Sequence, residues 1–172
     1  FIAILLINHY LSACASGRSA GVVVFVAPTK ILLSQQGESI LKHCSEHTAF
    51  RAYSQDLVSV DGSALNFWSA EFWKKQLQLF NVLLFVPEIL RVVLERKFLR
   101  PSDISLVILD ECHNAFGDSA MCVLCEQLKP LSDVGSSSGD EMYPRILGLT
   151  ASPIANKDGN AISSIAKLEE IT

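Results

Sequence analysis

Four short runs made almost entirely of Val, Ile, Leu and Phe constrain this chain more than anything else in it. They are GVVVFVA at 21–27, NVLLFV at 81–86, SLVIL at 105–109 and RILGL at 145–149. None alternates apolar with polar residues, so each reads as a strand covered on both faces, as in a parallel sheet. AFRAYS at 49–54 is a fifth, weaker candidate. Helix-like stretches separate the runs. TKILLSQQGESILKHC places Ile31, Leu32, Gln35, Ser39 and Ile40 around one amphipathic cylinder. PEILRVVLERKF opens with Pro87, at a helix's first turn, where a missing N–H costs nothing. Strand and helix in alternation predict an α/β domain with a mainly parallel sheet and right-handed crossovers.

A chain of 172 residues suits one domain with a proper core. The hydrophobic share of 49% and mean hydropathy of +0.32 fit doubly covered strands. A net charge of −4 and pI near 5.5 argue against wholesale wrapping of nucleic acid. They leave room for a local contact, since binding a phosphate needs only a few donors. The opening run, FIAILLINHYLSACA, has no basic lead-in of the kind a signal peptide carries. Asn8, His9 and Tyr10 interrupt it well short of the roughly 20 apolar residues of a membrane span. It reads as a buried helix cut at its start, with Phe1 in place of a methionine. The tail, ISSIAKLEEIT, reads as a helix cut at its end. The expectation is therefore a single, truncated domain over 1–172, part of something longer. Segment 131–144, LSDVGSSSGDEMYP, reads as a surface loop. Cys14, Cys44, Cys112, Cys122 and Cys125 are odd in number and sit in apolar segments, which fits reduced thiols in an intracellular protein.

The chemistry concentrates in LVILDECHNAFG at 106–117, where a buried strand runs straight into Asp110 and Glu111. Adjacent like charges call for a cation. In an open parallel sheet, ligands bind at the carboxyl ends of the strands, and two other strand ends carry small polar residues, APTK after the first run and TASP after the last. Two acids with hydroxyls nearby suit a hydrated Mg²⁺ on a polyphosphate, because magnesium keeps most of its waters and takes only one or two protein carboxylates.

Taken together, VFVAPTKILLSQQ, LVILDECHNAFG and PRILGLTASPI resemble motifs Ia, II and III of superfamily-two helicases of the DECH-box branch, in the family's order. FWSAEFWKKQLQLFNVLLFVPEIL and FLRPSDISLVILDECH narrow the resemblance to the amino-terminal helicase lobe of Dicer and Dicer-like ribonucleases. It extends over nearly the whole chain. The resemblance implies a three-layer, RecA-like P-loop NTPase fold, with ATP and Mg²⁺ as cofactors. By it, Asp110 would hold Mg²⁺ and Glu111 would position or activate the hydrolytic water. His113 would link the ATP site to motif III, which here includes Thr150 and Ser152. Thr29 and Lys30 would touch the sugar–phosphate backbone of double-stranded RNA. The implied partners are that RNA, a second helicase lobe and ribonuclease domains of the parent chain, with no membrane, in the nucleus or cytoplasm. A related RNA sensor, a DNA translocase and a degenerate, non-catalytic RNA-binding lobe share this pattern.

The chain also departs from the family. The first strand and the P-loop, with its Lys and Ser/Thr, would stand before Phe1, and the arginine finger belongs to the second lobe. Val86 precedes Pro87 where Thr-Pro is usual, and Asn114 replaces a second His. CVLC at 122–125 lies close after Cys112 and His113. It reads as two cysteines on a buried helix face rather than half of a zinc site, which needs four converging ligands. Trp68 and Trp73, with Phe67 and Phe72, read as core packing rather than a base-stacking platform. His9, His43 and His47 carry no pattern.

Overall fold

A computed structural model describes residues 2–16, 21–44, 48–53, 68–115, 119–128 and 143–151. Phe67, His47, Ser152, most of the 131–144 segment and the 162–172 tail lie outside them. Among the described residues, five strands form one sheet: β1 (Val22–Val26), β2 (Phe50–Tyr53), β3 (Val82–Phe85), β4 (Ile104–Leu109) and β5 (Arg145–Gly148). All neighbours are parallel, in the order β2-β3-β1-β4-β5. The helices between them are α1 (Ile2–Ala15), α2 (Lys30–His43), α3 (Ala70–Leu79), α4 (Pro87–Glu95) and α5 (Ala120–Leu128). The four strong apolar runs are β1, β3, β4 and β5, and the weak candidate is β2. β1 and β3 are buried at every position. β2 lies at an edge of the sheet with Arg51 and Ala52 exposed, so its sequence carries a fainter signal.

Successive strand residues point to opposite faces, so two neighbours in β3 show which helix covers which side. Leu84 faces α2, where a Cβ built on Gly37 would lie 3.6 Å from Leu84 Cδ2 and 3.2 Å from Phe50 Cε2. Phe85 faces α3, its ring stacked 6.1 Å from that of Trp73. α1 shares the α2 side, with Asn8 Nδ2 donating to the His43 carbonyl at 3.4 Å. Phe98, just past α4, stacks on Trp73 at 6.4 Å, and α4 packs against α5. The result is three layers, with two helices on one face and three on the other, as right-handed crossovers require.

Two helix faces differ from the sequence expectation. In α2 the residues turned to the sheet are Leu33, Gly37 and Ile40, whereas Ile31 is 71% exposed. The cap explains this. Thr29 is extended and its hydroxyl accepts from Leu32 N–H, which fixes the first turn so that position 33 rather than 31 swings inward. In α1, Ala3, Ile4 and Ile7 are buried but Ile2 and Leu5 are more than half exposed. A helix in an outer layer has only one face on the sheet, so an all-round apolar helix need not be buried all round.

α4 follows its sequence closely. Pro87 opens it, and Ile89, Leu90 and Val93 face inward. Trp73 is wholly buried beside Tyr53 (5.0 Å between ring centroids) and Trp68 (5.2 Å). Trp73 is thus core, as expected, and Trp68 is partly buried against it. Gln76 is the buried polar side chain in this cluster, and its Oε1 accepts the Tyr53 hydroxyl at 2.9 Å. Burial pushes the Tyr53 phenol up to about 12, against a smaller lowering by the Arg51 charge. Among the described residues, no helix is long and apolar enough to cross a membrane.

Candidate functional site

The carboxyl ends of β1, β4 and β5 lie side by side, because parallel pairing puts all strand ends on one edge. Backbone bonds lock the three exits together. Asp110 N–H donates to the Val26 carbonyl at 2.8 Å, Leu149 N–H to the Leu109 carbonyl at 2.8 Å, and Cys112 N–H to the Leu149 carbonyl at 2.9 Å. β4 therefore delivers Asp110 and Glu111 to a position fixed from both sides.

Glu111 then takes a left-handed backbone (φ 52°, ψ 45°), and a short 3-10 turn follows over Cys112–Asn114. A non-glycine residue there is strained, and such strain gathers at functional sites. Asn114 holds the turn, with both its backbone N–H and its Nδ2 donating to the Glu111 carbonyl at 3.0 Å. The residue that departs from the family pattern thus has a local task.

The turn aims His113 at β5's exit. Its Nδ1 lies 2.8 Å from Thr150 Oγ1 and 3.2 Å from Glu111 Oε2. The second approach is close enough for attraction but badly aligned for a hydrogen bond. Glu111 Oε2, shielded from solvent, consequently has no hydrogen-bond donor among the described residues. A single imidazole side chain thus stands between the DECH turn and the Thr150 segment.

Asp110 is differently placed. Its Oδ1 accepts Glu111 N–H at 3.2 Å and its Oδ2 accepts Gln36 Nε2 at 3.1 Å. Burial raises its pKa above the ordinary carboxylate value, and the neighbouring Glu111 charge raises it further, against the two hydrogen bonds. A carboxylate offers about four lone-pair sites, so two donors leave acceptor capacity. The donor set fits a hard cation: two carboxylates, one with spare lone pairs and one with a shielded oxygen. Magnesium takes only one or two protein carboxylates and keeps most of its waters. Asp110 and Glu111 are the residues that would hold it.

Thr29 and Lys30 open α2 at β1's exit, on the same edge and exposed. Thr29's hydroxyl accepts at the cap, leaving its own proton available to an acceptor. Ser152 is outside the described residues. Val86 caps α4 with no side-chain hydrogen bond, as a missing hydroxyl there requires. Cys122 and Cys125 both lie on α5, with Cys125 buried and Cys122 partly so. Gln36 is the site residue that sequence reasoning passed over. It stands 74 positions before Asp110, and no periodicity links the two. A hollow of about 570 Å³ opens instead at the strands' amino ends, between Gly21, Asn81 and Ser102. It is far from the paired acids and does not belong to this site.

The fold and its carboxyl edge define a RecA-like helicase domain of the α/β class. The match to the DEAD/DEAH box helicase family runs over residues 1–158, and the chain belongs to that family, whose members bind ATP. Among curated relatives it is 32% identical over 171 residues to Endoribonuclease Dicer homolog 2b of Oryza sativa subsp. japonica, covering 99% of this chain and 12% of that protein. Against Endoribonuclease Dicer homolog 2 of Arabidopsis thaliana it is 32% identical over 149 residues, 86% of this chain and 10% of that one. Protein Dicer of Schizosaccharomyces pombe matches at 32% over 92 residues, 54% of this chain and 7% of that protein. The chain thus spans about a tenth of the relatives it matches. The helicase domain of Pyrococcus furiosus Hef superposes with a TM-score of 0.62 at 23% identity, covering 96% of this chain and 31% of that one. That likeness concerns the fold.

Proposed function

We propose that this chain is the ATP-binding helicase lobe of a Dicer-like double-stranded-RNA endoribonuclease acting in small-RNA production. In this reading the lobe is one domain over 1–172 that works with a second helicase lobe and with ribonuclease domains of the same intracellular protein. Similarity to Dicer homologues across 99% of the chain supports the choice among helicases. The observation that carries the reading is the junction at the carboxyl edge, where Asp110 and Glu111 stand beside a His113–Thr150 contact of 2.8 Å.

Mg²⁺, when bound with ATP, neutralises charge on the phosphates being transferred. The chain's own residues do the rest. Asp110 holds the hydrated cation with acceptor capacity that its two hydrogen bonds leave unused. Glu111, held in its strained backbone by Asn114, presents its carboxylate to the attacking water as positioner and base. His113 passes a shift at Glu111 to Thr150, and with Ser152 that segment couples hydrolysis to RNA handling. Thr29 and Lys30, at the amino end of α2, engage RNA phosphates, a contact that positions RNA without reading its sequence.

The test is RNA-stimulated ATPase activity of the full-length protein carrying Glu111→Gln. The substitution keeps size and hydrogen bonding but removes the base, and turnover should fall by about 10²-fold or more. Undiminished hydrolysis would overturn the role of Glu111.

A further inference from the structure

Gln36 is half-buried on α2, beside the Leu33–Gly37–Ile40 face that packs on the sheet. Its amide nitrogen lies 3.1 Å from Asp110 Oδ2. The amide must present nitrogen here, because its oxygen would meet the carboxylate with like partial charge. The opposite oxygen of Asp110 is already held by Glu111 N–H at 3.2 Å. The carboxyl group is therefore gripped at both oxygens, once by its own turn and once by a different helix.

The chemistry of this second grip is specific. A lysine or arginine would also donate to Oδ2, but its charge would cancel the negative charge a cation needs. An aliphatic side chain would leave Asp110 half-buried next to Glu111 with one donor fewer. A neutral amide donates without neutralising. The grip also comes from the helix whose first residues, Thr29 and Lys30, stand at the same edge, about six residues or ~9 Å along the axis from Gln36.

We propose that Gln36 is the positioning residue for Asp110, fixing the carboxylate for a divalent cation and tying that cation's site to the orientation of α2. The inference rests on the reading of Asp110 given above. It adds a residue that acts through Asp110 without touching nucleotide.

The experiment compares wild type, Gln36→Leu and Gln36→Lys in the full-length protein. Mn²⁺ binding in the presence of a non-hydrolysable ATP analogue is measured by electron paramagnetic resonance, and the free Mg²⁺ giving half-maximal ATPase is measured alongside. Both variants should weaken Mn²⁺ binding by about tenfold, the scale of one hydrogen bond to a charged group. The Mg²⁺ requirement should rise in parallel, with turnover at saturating Mg²⁺ much less affected. Gln36→Lys separates positioning from packing: it restores a donor, yet metal binding should stay weak because its charge competes with the cation. Wild-type Mn²⁺ affinity in both variants, with wild-type hydrolysis intact, would overturn the inference while leaving the function standing. So would weakened binding in Gln36→Leu that Gln36→Lys fully restores, because a cation in place of the amide would then serve equally well. Absence of any Mg²⁺-dependent ATPase in the wild-type protein would sink both readings together.

Discussion

Asp110 is held in a position that folding alone does not favour. Burial and the adjacent Glu111 both raise its pKa, so the folded protein binds a proton there more tightly than the unfolded chain does. The sign follows from linkage: the group's contribution to stability declines as pH rises from about 3.8 through the raised folded value, above which the penalty is fully present. Asp110→Asn removes that charge, and its side-chain oxygen can still accept from Glu111 N–H. Since Asp110 is only half-buried, the effect is discounted for solvent screening to the order of 0.5–1 kcal/mol. The metal-free domain should thus melt about 1–4 °C higher at pH 7, with the gain shrinking toward pH 4, while Mg²⁺·ATP no longer shifts the melting point. Differential scanning calorimetry at both pH values measures this. A lower melting point for the variant would show that the carboxylate is structural and not a site held at a cost to stability.

Helix ends show how local backbone chemistry serves either stability or function. α4 closes with Lys97 in the left-handed region (φ 56°). Phe98 N–H reaches back to the Val93 carbonyl at 3.0 Å and Lys97 N–H to the Leu94 carbonyl at 2.9 Å. This is the Schellman arrangement, whose left-handed position favours glycine. Glu111 has a similar φ of 52°, and in the proposed reading its side chain is the working group. Lys97→Gly should therefore stabilise by about 0.5–1 kcal/mol, the relief of Cβ crowding less the added freedom of the unfolded chain; a shift in the urea midpoint measures it, and a loss of stability would mean that the Lys97 side chain makes a contact worth more than the strain. The strands were legible in the sequence because full burial leaves no alternation, and α4 because Pro87 marks its start. The inward face of α2 was not, since one hydrogen bond from Leu32 N–H to Thr29 sets its rotation and composition does not encode it. At the site, Asp110 and Glu111 could be read from the abrupt end of β4. The pairing of His113 with Thr150 came from resemblance to a family, and Gln36 required three dimensions.

The molecule divides its polar chemistry between the two edges of one sheet. Parallel strands gather Thr29, Asp110, Glu111 and Thr150 where they end, and the edge where they begin is bound up in structural contacts. Gly21 enters β1 with φ 153°, and a Cβ there would lie 2.6 Å from Ser105 Oγ and 3.0 Å from the Asp103 carbonyl oxygen. Asn81 Oδ1 accepts Ala49 N–H at 2.9 Å, joining the starts of β2 and β3. At the entry to β4, Asp103 accepts Arg100 N–H at 3.0 Å and two guanidinium hydrogen bonds, at 3.1 and 2.8 Å. The Arg100 hydrogen bonds hold the Asp103 carboxyl below its ordinary range, outweighing the opposing effect of burial. β4 thus runs between two aspartates shifted in opposite directions, Asp103 by its Arg100 hydrogen bonds and Asp110 by burial. For Asp103 the depressed folded pKa means that its stabilisation is present above about pH 4 and is lost as pH falls through the folded value. Asp103→Asn should lower stability at pH 7 by about 1 kcal/mol, the usual worth of a capping carboxylate. It should leave RNA-stimulated ATPase within about twofold, since that edge carries no site residue. As pH falls through the depressed folded value and the wild-type carboxylate takes up its proton, the urea midpoints of variant and wild type should converge. Equal midpoints for variant and wild type at pH 7 would show that the charge at β4's entry does not stabilise the fold, and a large loss of ATPase would show that the two edges are not separate in function.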